Sequence, residues 1–138
     1  MHALQDTQDA ARRVHETVLA IQAKYPNAPS PVFFGFSQGA VISFRVAAGY
    51  PKIARLVVGI SGYLDIAKPP KTSVHGASPD VLIVHGKNDA VVPFARGRQV
   101  ETRLRDAGYS VDFISHTGGH RTPPDTLAEL QHWIASRL

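Results

Sequence analysis

The sequence predicts an α/β fold in which about four parallel strands carry helices on both faces. Four short apolar runs alternate with segments whose apolar residues recur at helical spacing, and proline, glycine or polar turns separate them. Such alternation indicates βαβ units with right-handed crossovers, and therefore a parallel sheet. The 138 residues correspond to a single domain over 1–138, which can bury a core without disulfides or structural metal.

Two helices and two strands are predicted in the first half of the chain. Asp6 is suited to cap a helix over 7–25, which the prolines that follow would end. A buried strand over 32–36 is predicted, and after Ser37-Gln38-Gly39 the pattern turns helical until it stops at Gly49-Tyr50-Pro51. A β-branched strand follows over 54–60. The first helix is expected to turn inward Val14, Val18, Ile21 and Tyr25.

The second half of the chain repeats the alternation. An irregular stretch over 61–79 precedes a strand over 81–85, and a helix follows over 93–108. A fourth strand is predicted over 111–114, and the last helix opens at 122–125 with an N-cap and proline in its first turn. The residues that this helix is expected to bury are Leu127, Leu130 and Ile134.

The composition excludes several functional classes. The chain has no cysteine, which removes a disulfide framework, thiolate zinc ligation and a cysteine nucleophile. Its 15 Lys and Arg against 11 Asp and Glu give a net charge of +4. These basic residues are dispersed without an aromatic ladder, so we expect no nucleic-acid partner. The N-terminus lacks signal-peptide features and no apolar run could span a membrane, so we expect a cytoplasmic protein without a membrane partner.

A nucleophile motif follows the first predicted strand. The residues Gly35-Phe36-Ser37-Gln38-Gly39 match G-x-S-x-G between a strand and a helix, the context in which this motif forms a sharp turn that exposes the serine hydroxyl. The N–H of Gln38 would lie at the helix N-terminus, where it could stabilise an oxyanion. The alternative interpretation is a glycine-rich strand-to-helix turn without a catalytic role.

Residues that could activate Ser37 follow the third and fourth strands. Asp89 lies in a turn after the third strand, where it could orient a histidine or only form the turn. His120 lies on a glycine-rich loop after the fourth strand and could act as a base or occupy a surface position. The chain order Ser, Asp, His, each after a different strand, favours a catalytic triad because parallel strands bring their carboxyl ends to one edge.

Two other histidines have alternative interpretations. His116 precedes His120 by four residues, a spacing that suggests metal ligands, but the glycines between them oppose a helix and no pair of carboxylates accompanies them. We therefore predict no metal site. His85 ends the third strand and could line the cleft or have a structural role.

Four stretches resemble the phospholipase/carboxylesterase family of α/β hydrolases, which includes the acyl-protein thioesterases. They are Gly35-Phe36-Ser37-Gln38-Gly39, Ser61-Gly62-Tyr63-Leu64, His85-Gly86 with Asp89 and Val92-Pro93, and Gly118-Gly119-His120. The resemblance implies that Ser37 is the nucleophile, His120 the general base and then acid, and Asp89 the orienting carboxylate. It also implies an oxyanion donor at Gln38 and hydrolysis of carboxylic esters or thioesters through an acyl-enzyme, without cofactor or metal.

By this comparison the chain would be a truncated α/β hydrolase. Family members carry further strands before the nucleophile motif, including a loop that supplies a second oxyanion donor, whereas one helix precedes it here. The strand over 32–36 would then have an unpaired edge, which is a template for association. We expect a homodimer in which two copies of this strand pair about a two-fold axis.

The function predicted from these residues is hydrolysis of small, short-chain carboxylic esters. The stretch over 61–79 is too short for a lid domain, so we expect a shallow cleft lined by Phe36, Tyr63, Leu64 and Val91. One alternative is a thioesterase or lysophospholipase of the same fold. The other is a catalytically idle fragment that acts as an interaction module, because its oxyanion hole would lack one donor.

Overall fold

A computed structural model describes residues 3–74 and 77–138 as four strands and four helices in alternation. In chain order the elements are α1 (Ala3–Lys24), β1 (Val32–Phe36), α2 (Gln38–Gly49), β2 (Leu56–Ile60), β3 (Asp80–Gly86), α3 (Phe94–Asp106), β4 (Val111–His116) and α4 (Pro124–Ala135). The strands form one parallel sheet in the order β1-β2-β3-β4. The predicted parallel α/β architecture is confirmed.

The register of the sheet brings the ends of neighbouring strands level with one another. Phe36 pairs with Ile60 at the end of β1 and β2, and Ile60 pairs with Val84 in β3. The N–H of Ser37 donates to the carbonyl of Ile60 at 2.8 Å, and the N–H of Ser61 donates to that of Val84 at 2.9 Å. The segments that leave β1, β2 and β3 therefore emerge side by side at the carboxyl edge.

The sheet has one hydrophobic core on each face. The face toward α1, α2 and α3 packs Val57 and Ile83 of the sheet against Phe44, Val100 and their neighbours. Among the described elements, α4 is the one helix that covers the opposite face, whose buried residues are Leu56, Val58, Ile60, Leu82, Val84, Leu130 and Trp133. Three helices on one face and one on the other agree with the predicted two-sided sheet.

The inward stripe predicted for the first helix is only half correct. Val18 is buried, but Ile21 and Tyr25 are 49% and 56% exposed. The ring of His15 stacks on Tyr50, which directly follows α2, at 4.0 Å between centroids. Because α1 has 22 residues and α2 has 12, α1 is about 15 Å longer at 1.5 Å per residue. Its last turns extend past α2, and Ile21 and Tyr25 there remain exposed.

The last helix and the stretch over 61–79 were also predicted from the sequence. Leu127, expected inside, is 40% exposed, because α4 turns Thr126, Leu130 and Trp133 toward the sheet. The irregular stretch over 61–79 contains no helix or strand in its described part, while residues 75 and 76 lie outside the described residues. No helix in the described ranges is long and apolar enough to cross a membrane.

The strand β1 lies at the edge of the sheet and exposes a row of apolar side chains. Within residues 3–74 and 77–138, no strand pairs with β1 on the side away from β2. Val32, Phe34 and Phe36 alternate along it and are 36%, 53% and 44% exposed. Their register partners in β2 belong to the core beneath α4, so these three side chains continue that apolar face beyond the area that α4 covers.

Candidate active site

Ser37 occupies a tight turn between β1 and α2. Its backbone has φ 56° and ψ −114°, a combination that a residue with a side chain adopts only under strain. Gly35 permits the turn, because a Cβ there would lie 2.3 Å from the carbonyl group of Gly39. The sequence therefore folds into a strained strand-turn-helix with the side chain of Ser37 at the carboxyl edge of the sheet.

The carboxylate of Asp89 is held in a turn that follows β3. Its Oδ1 atom accepts hydrogen bonds from the N–H groups of Val91 and Val92, each at 2.8 Å. Its Oδ2 atom lies 2.8 Å from Nδ1 of His120. Burial opposes ionisation of Asp89, but these hydrogen bonds outweigh it and hold the pKa of the carboxyl below its ordinary value of 3.8. Asp89 is thus a buried, ionised hydrogen-bond acceptor.

His120 connects Asp89 to Ser37. Its Nε2 atom lies 2.9 Å from the Oγ atom of Ser37, while Nδ1 faces the carboxylate. An ionised carboxylate cannot donate, so Nδ1 carries the proton, and in the neutral ring Nε2 accepts from the serine hydroxyl. The side chain of His120 is 19% exposed, and the ring of Phe36 lies 5.0 Å away between centroids. These three residues, far apart in the sequence, form one continuous hydrogen-bonded chain.

The loop that carries His120 is tied to the turn that carries Asp89. The N–H of Asn88 donates to the carbonyl of Gly118 at 3.1 Å. Within the loop, Nδ1 of His116 accepts from the N–H of Gly118 at 3.0 Å. Burial lowers the pKa of His116, which favours the neutral ring that this acceptor role requires. His116 therefore supports the loop, and its Nδ1 atom is occupied by a backbone donor.

The N–H of Gln38 lies in the first turn of α2, beside Ser37. The first N–H groups of a helix have no acceptor within the helix, and the helix dipole favours negative charge at this end. The side chain of Gln38 is exposed. This N–H group could therefore donate a hydrogen bond to an oxyanion formed at a carbonyl carbon bound to Ser37.

The four residues predicted to line a cleft occupy different environments. Phe36 and Val91 are 44% and 67% exposed. Leu64 is buried in the core beneath α1, α2 and α3. Tyr63 is half-buried, with the guanidinium of Arg96 lying 3.7 Å from its ring centroid. Of the four, Phe36 and Val91 therefore offer exposed apolar surface, whereas Leu64 does not.

Sequence reasoning missed several groups around the site. The N–H groups of Val91 and Val92 orient Asp89, but a backbone donor has no signature in residue type. The guanidinium of Arg96 reaches Tyr63 from the first turn of α3, and no spacing rule relates a helix to a loop 33 positions earlier. For His85 the sequence left open a cleft or a structural position. The structure buries it completely beneath the Asp89 turn.

Comparison with known proteins gives a consistent family assignment. The model of the phospholipase/carboxylesterase family matches residues 2–138. An acyl-protein thioesterase 1 from Gibberella zeae is 32% identical over an alignment of 117 positions including gaps, which covers 78% of this chain and 48% of that protein. A probable inactive carboxylesterase from Oryza sativa subsp. japonica is 25% identical over an alignment of 142 positions including gaps, which covers 99% of this chain and 58% of that protein. The chain spans about half the length of the curated relatives it matches.

Solved structures show the same fold. The Bacillus cereus carboxylesterase superposes with a TM-score of 0.88 at 16% identity, over 100% of this chain and 65% of that one. At this level of identity the likeness concerns the fold alone. A third of the Bacillus cereus chain has no counterpart in the present one.

Proposed function

Because the chain belongs to the phospholipase/carboxylesterase family, a family of esterase- and thioesterase-type α/β hydrolases, we propose that it is a serine hydrolase of small, short-chain carboxylic esters. The observation that carries this proposal is the hydrogen-bonded chain from Asp89 through His120 to Ser37, with distances of 2.8 and 2.9 Å. Both fall within the range that proton transfer between a nucleophile and its base requires.

Acylation begins with attack of the Ser37 Oγ atom on the ester carbonyl carbon. His120 Nε2 takes the hydroxyl proton as the new C–O bond forms, and the carbonyl electron pair moves onto the oxygen. Asp89 stabilises the imidazolium that results. The carbonyl oxygen, now an anion, accepts a hydrogen bond from the N–H of Gln38. Collapse of this intermediate breaks the bond to the alcohol, which leaves with the proton from Nε2.

Deacylation repeats these steps with water. His120 removes a proton from a water molecule, whose oxygen attacks the acyl carbon, and the tetrahedral anion again lies against the N–H of Gln38. Its collapse returns the proton to Ser37 Oγ and releases the carboxylic acid. No redox change occurs, and no cofactor is required.

The proposed mechanism uses the N–H of Gln38 as one oxyanion donor, and an N–H from a second loop normally joins the one that follows the nucleophile. Each such donor contributes about 10² to 10³ to kcat. The exposed Phe36 and the buried Leu64 leave little depth for a long acyl chain, so we propose short acyl groups as substrates.

Two other activities have specific support. The relative from Gibberella zeae is named a thioesterase, and a thioester carbonyl could react with Ser37 by the same steps. The relative from Oryza sativa is named inactive, which favours an idle interaction module if the site lacks a necessary donor. Turnover is compared on p-nitrophenyl esters, an acyl thioester and a lysophospholipid. Faster turnover of the thioester or the lysophospholipid than of the esters supports the first alternative, and no turnover of any of the three supports the second.

The experiment that tests the proposal compares two serine variants. Ser37→Ala should abolish hydrolysis of p-nitrophenyl acetate. Ser61→Ala is the matched control, because Ser61 also follows a strand and also has a positive φ, of 57°. Its buried hydroxyl has no hydrogen-bond partner among the described residues. Equal turnover in Ser37→Ala and the wild-type protein would reject the mechanism.

A further inference from the structure

His85 is a buried ionisable residue that the proposed mechanism does not use. It is the penultimate residue of β3 and is completely buried. Its ring packs edge-on against Phe94, and a Cβ on Gly97 would lie 2.6 Å from its Nδ1 atom. Burial of an imidazole is unfavourable unless its polar atoms find partners. A completely buried polar ring at the end of an apolar strand therefore requires an explanation in its polar contacts.

The hydrogen bonding of His85 fixes its tautomer. Nε2 lies 2.7 Å from the carbonyl oxygen of Val92, and a carbonyl oxygen only accepts, so Nε2 carries the proton. Nδ1 has no hydrogen-bond partner within residues 3–74 and 77–138. The N–H on Nε2 is thus the single polar function that the ring performs in the described structure.

That N–H secures the turn that orients Asp89. Val92 accepts from His85 through its carbonyl and donates through its N–H to Asp89 Oδ1. The Nε2 atom of His85 also lies 3.6 Å from Asp89 Oδ2, the oxygen that faces His120. The first contact acts on the carboxylate through Val92, and the second lies directly beside it. A movement of Val92 would rotate Asp89 and displace the proton-accepting ring of His120.

We infer that His85 is a positioning residue for the site, which holds the Asp89 carboxylate in line with His120 through the Val92 carbonyl; this inference rests on the proposed hydrolase function. Asp89 makes the direct contact with His120, and His85 acts on the reaction only through it. Loss of the Nε2 donor should therefore leave substrate binding intact and lower the rate of the chemical steps.

The test compares three substitutions that differ in where they place a donor. In His85→Gln the side-chain amide nitrogen is as many bonds from Cβ as Nε2, so it can still donate to Val92. In His85→Asn the amide nitrogen corresponds to Nδ1, and in His85→Leu there is no donor. We expect kcat to fall about 10- to 100-fold in the Asn and Leu variants with KM unchanged, since a displacement of 1 Å at the reacting groups can cost about 10². Gln should restore most of the rate.

A spectroscopic measurement separates positioning from general destabilisation. The proton on Nδ1 of His120, bonded to Asp89, should give a low-field proton NMR signal in the wild type and His85→Gln. We expect this signal to shift or disappear in His85→Asn and His85→Leu. Leu82→Ala is the destabilised control, because Leu82 is buried in the same strand but packs toward α4. It should keep the signal and the rate per active site, counted by titration with a phosphonate.

A substitution outside His85 gives an independent check. Gly97→Ala places a methyl group against Nδ1 and should displace the ring, with the same loss of kcat and of the NMR signal. If His85→Leu does not fold, the three single variants His85→Gln, His85→Asn and Gly97→Ala still test the inference. Asn, Leu and Gly97→Ala variants that keep both kcat and the low-field signal would overturn the inference. A wild-type protein that shows the signal but no turnover would instead contradict the proposed function.

Discussion

The substitution Asp89→Asn distinguishes a catalytic carboxylate from a residue that only forms a turn. Asparagine is nearly the same size, and its amide oxygen can still accept from the N–H groups of Val91 and Val92, so the turn should persist. The amide nitrogen would then face Nδ1 of His120 in place of Oδ2. Because this nitrogen donates, Nδ1 must accept, and the ring proton moves to Nε2.

The expected loss follows from this change of tautomer. With its proton on Nε2, His120 donates toward Ser37 Oγ and cannot remove the hydroxyl proton. The same substitution in a serine protease lowers kcat about 10⁴-fold for this reason, which corresponds to about 5.4 kcal/mol of transition-state stabilisation. The carboxylate of Asp89 is buried and 2.8 Å from Nδ1, so we expect a loss of the same order, with KM little changed.

The assay measures hydrolysis of p-nitrophenyl acetate by Asp89→Asn at neutral pH, with rates expressed per folded chain. Asp112→Asn is the control, because Asp112 is a carboxylate that accepts from Trp133 and Arg137 at another part of the surface. It should retain wild-type kcat. A loss below 10-fold in Asp89→Asn would refute the tautomer argument and support the interpretation of Asp89 as a turn former.

Three further predictions concern stability and assembly. Burial opposes ionisation of Asp89, but its hydrogen bonds lower its pKa below 3.8. The ionised carboxylate therefore contributes fully to the free energy of unfolding above that pH, and this contribution is lost as pH falls through the folded-state pKa. The gap in urea-measured unfolding free energy between wild type and Asp89→Asn should shrink on acidification, and a growing gap contradicts this. Gly59→Ala sets a Cβ 2.1 Å from the Phe44 ring and should cost about 1–3 kcal/mol, whereas Gly49→Ala, with nothing within 4 Å, should cost none. We propose that β1 pairs with β1 of a second copy of the chain. Light scattering should then give twice the mass of one chain for the wild-type protein and the mass of one chain for Phe34→Glu. A monomeric wild-type protein would contradict the proposal.

The sequence predicts the strands and the nucleophile turn well because local patterns determine them. The run over 32–36 coincides with β1, and G-x-S-x-G predicts a sharp turn at Ser37 that the backbone angles of the structure match. The order of Ser37, Asp89 and His120 along the chain suggests their meeting point, because parallel strands end at one edge. Periodicity and motif order suffice for these features.

Features that depend on the length or position of another element are not predictable in this way. Ile21 has the correct helical spacing for burial, but α2 is shorter than α1 and does not extend along the last turns of α1. Leu64 follows β2 at the carboxyl edge, yet it turns into the core beneath the helices. The bond from His85 to Val92 joins a strand to a loop through a carbonyl, which no residue pattern specifies.

Active-site labelling tests the central claim most directly. A fluorophosphonate should add one phosphonyl group per chain to the wild-type protein, and peptide mass mapping should locate it on Ser37. Ser61→Ala should be labelled at the wild-type rate, and Ser37→Ala should not be labelled at all. A folded wild-type protein that does not react, or an adduct that persists in Ser37→Ala, would contradict the proposal that Asp89 and His120 activate Ser37.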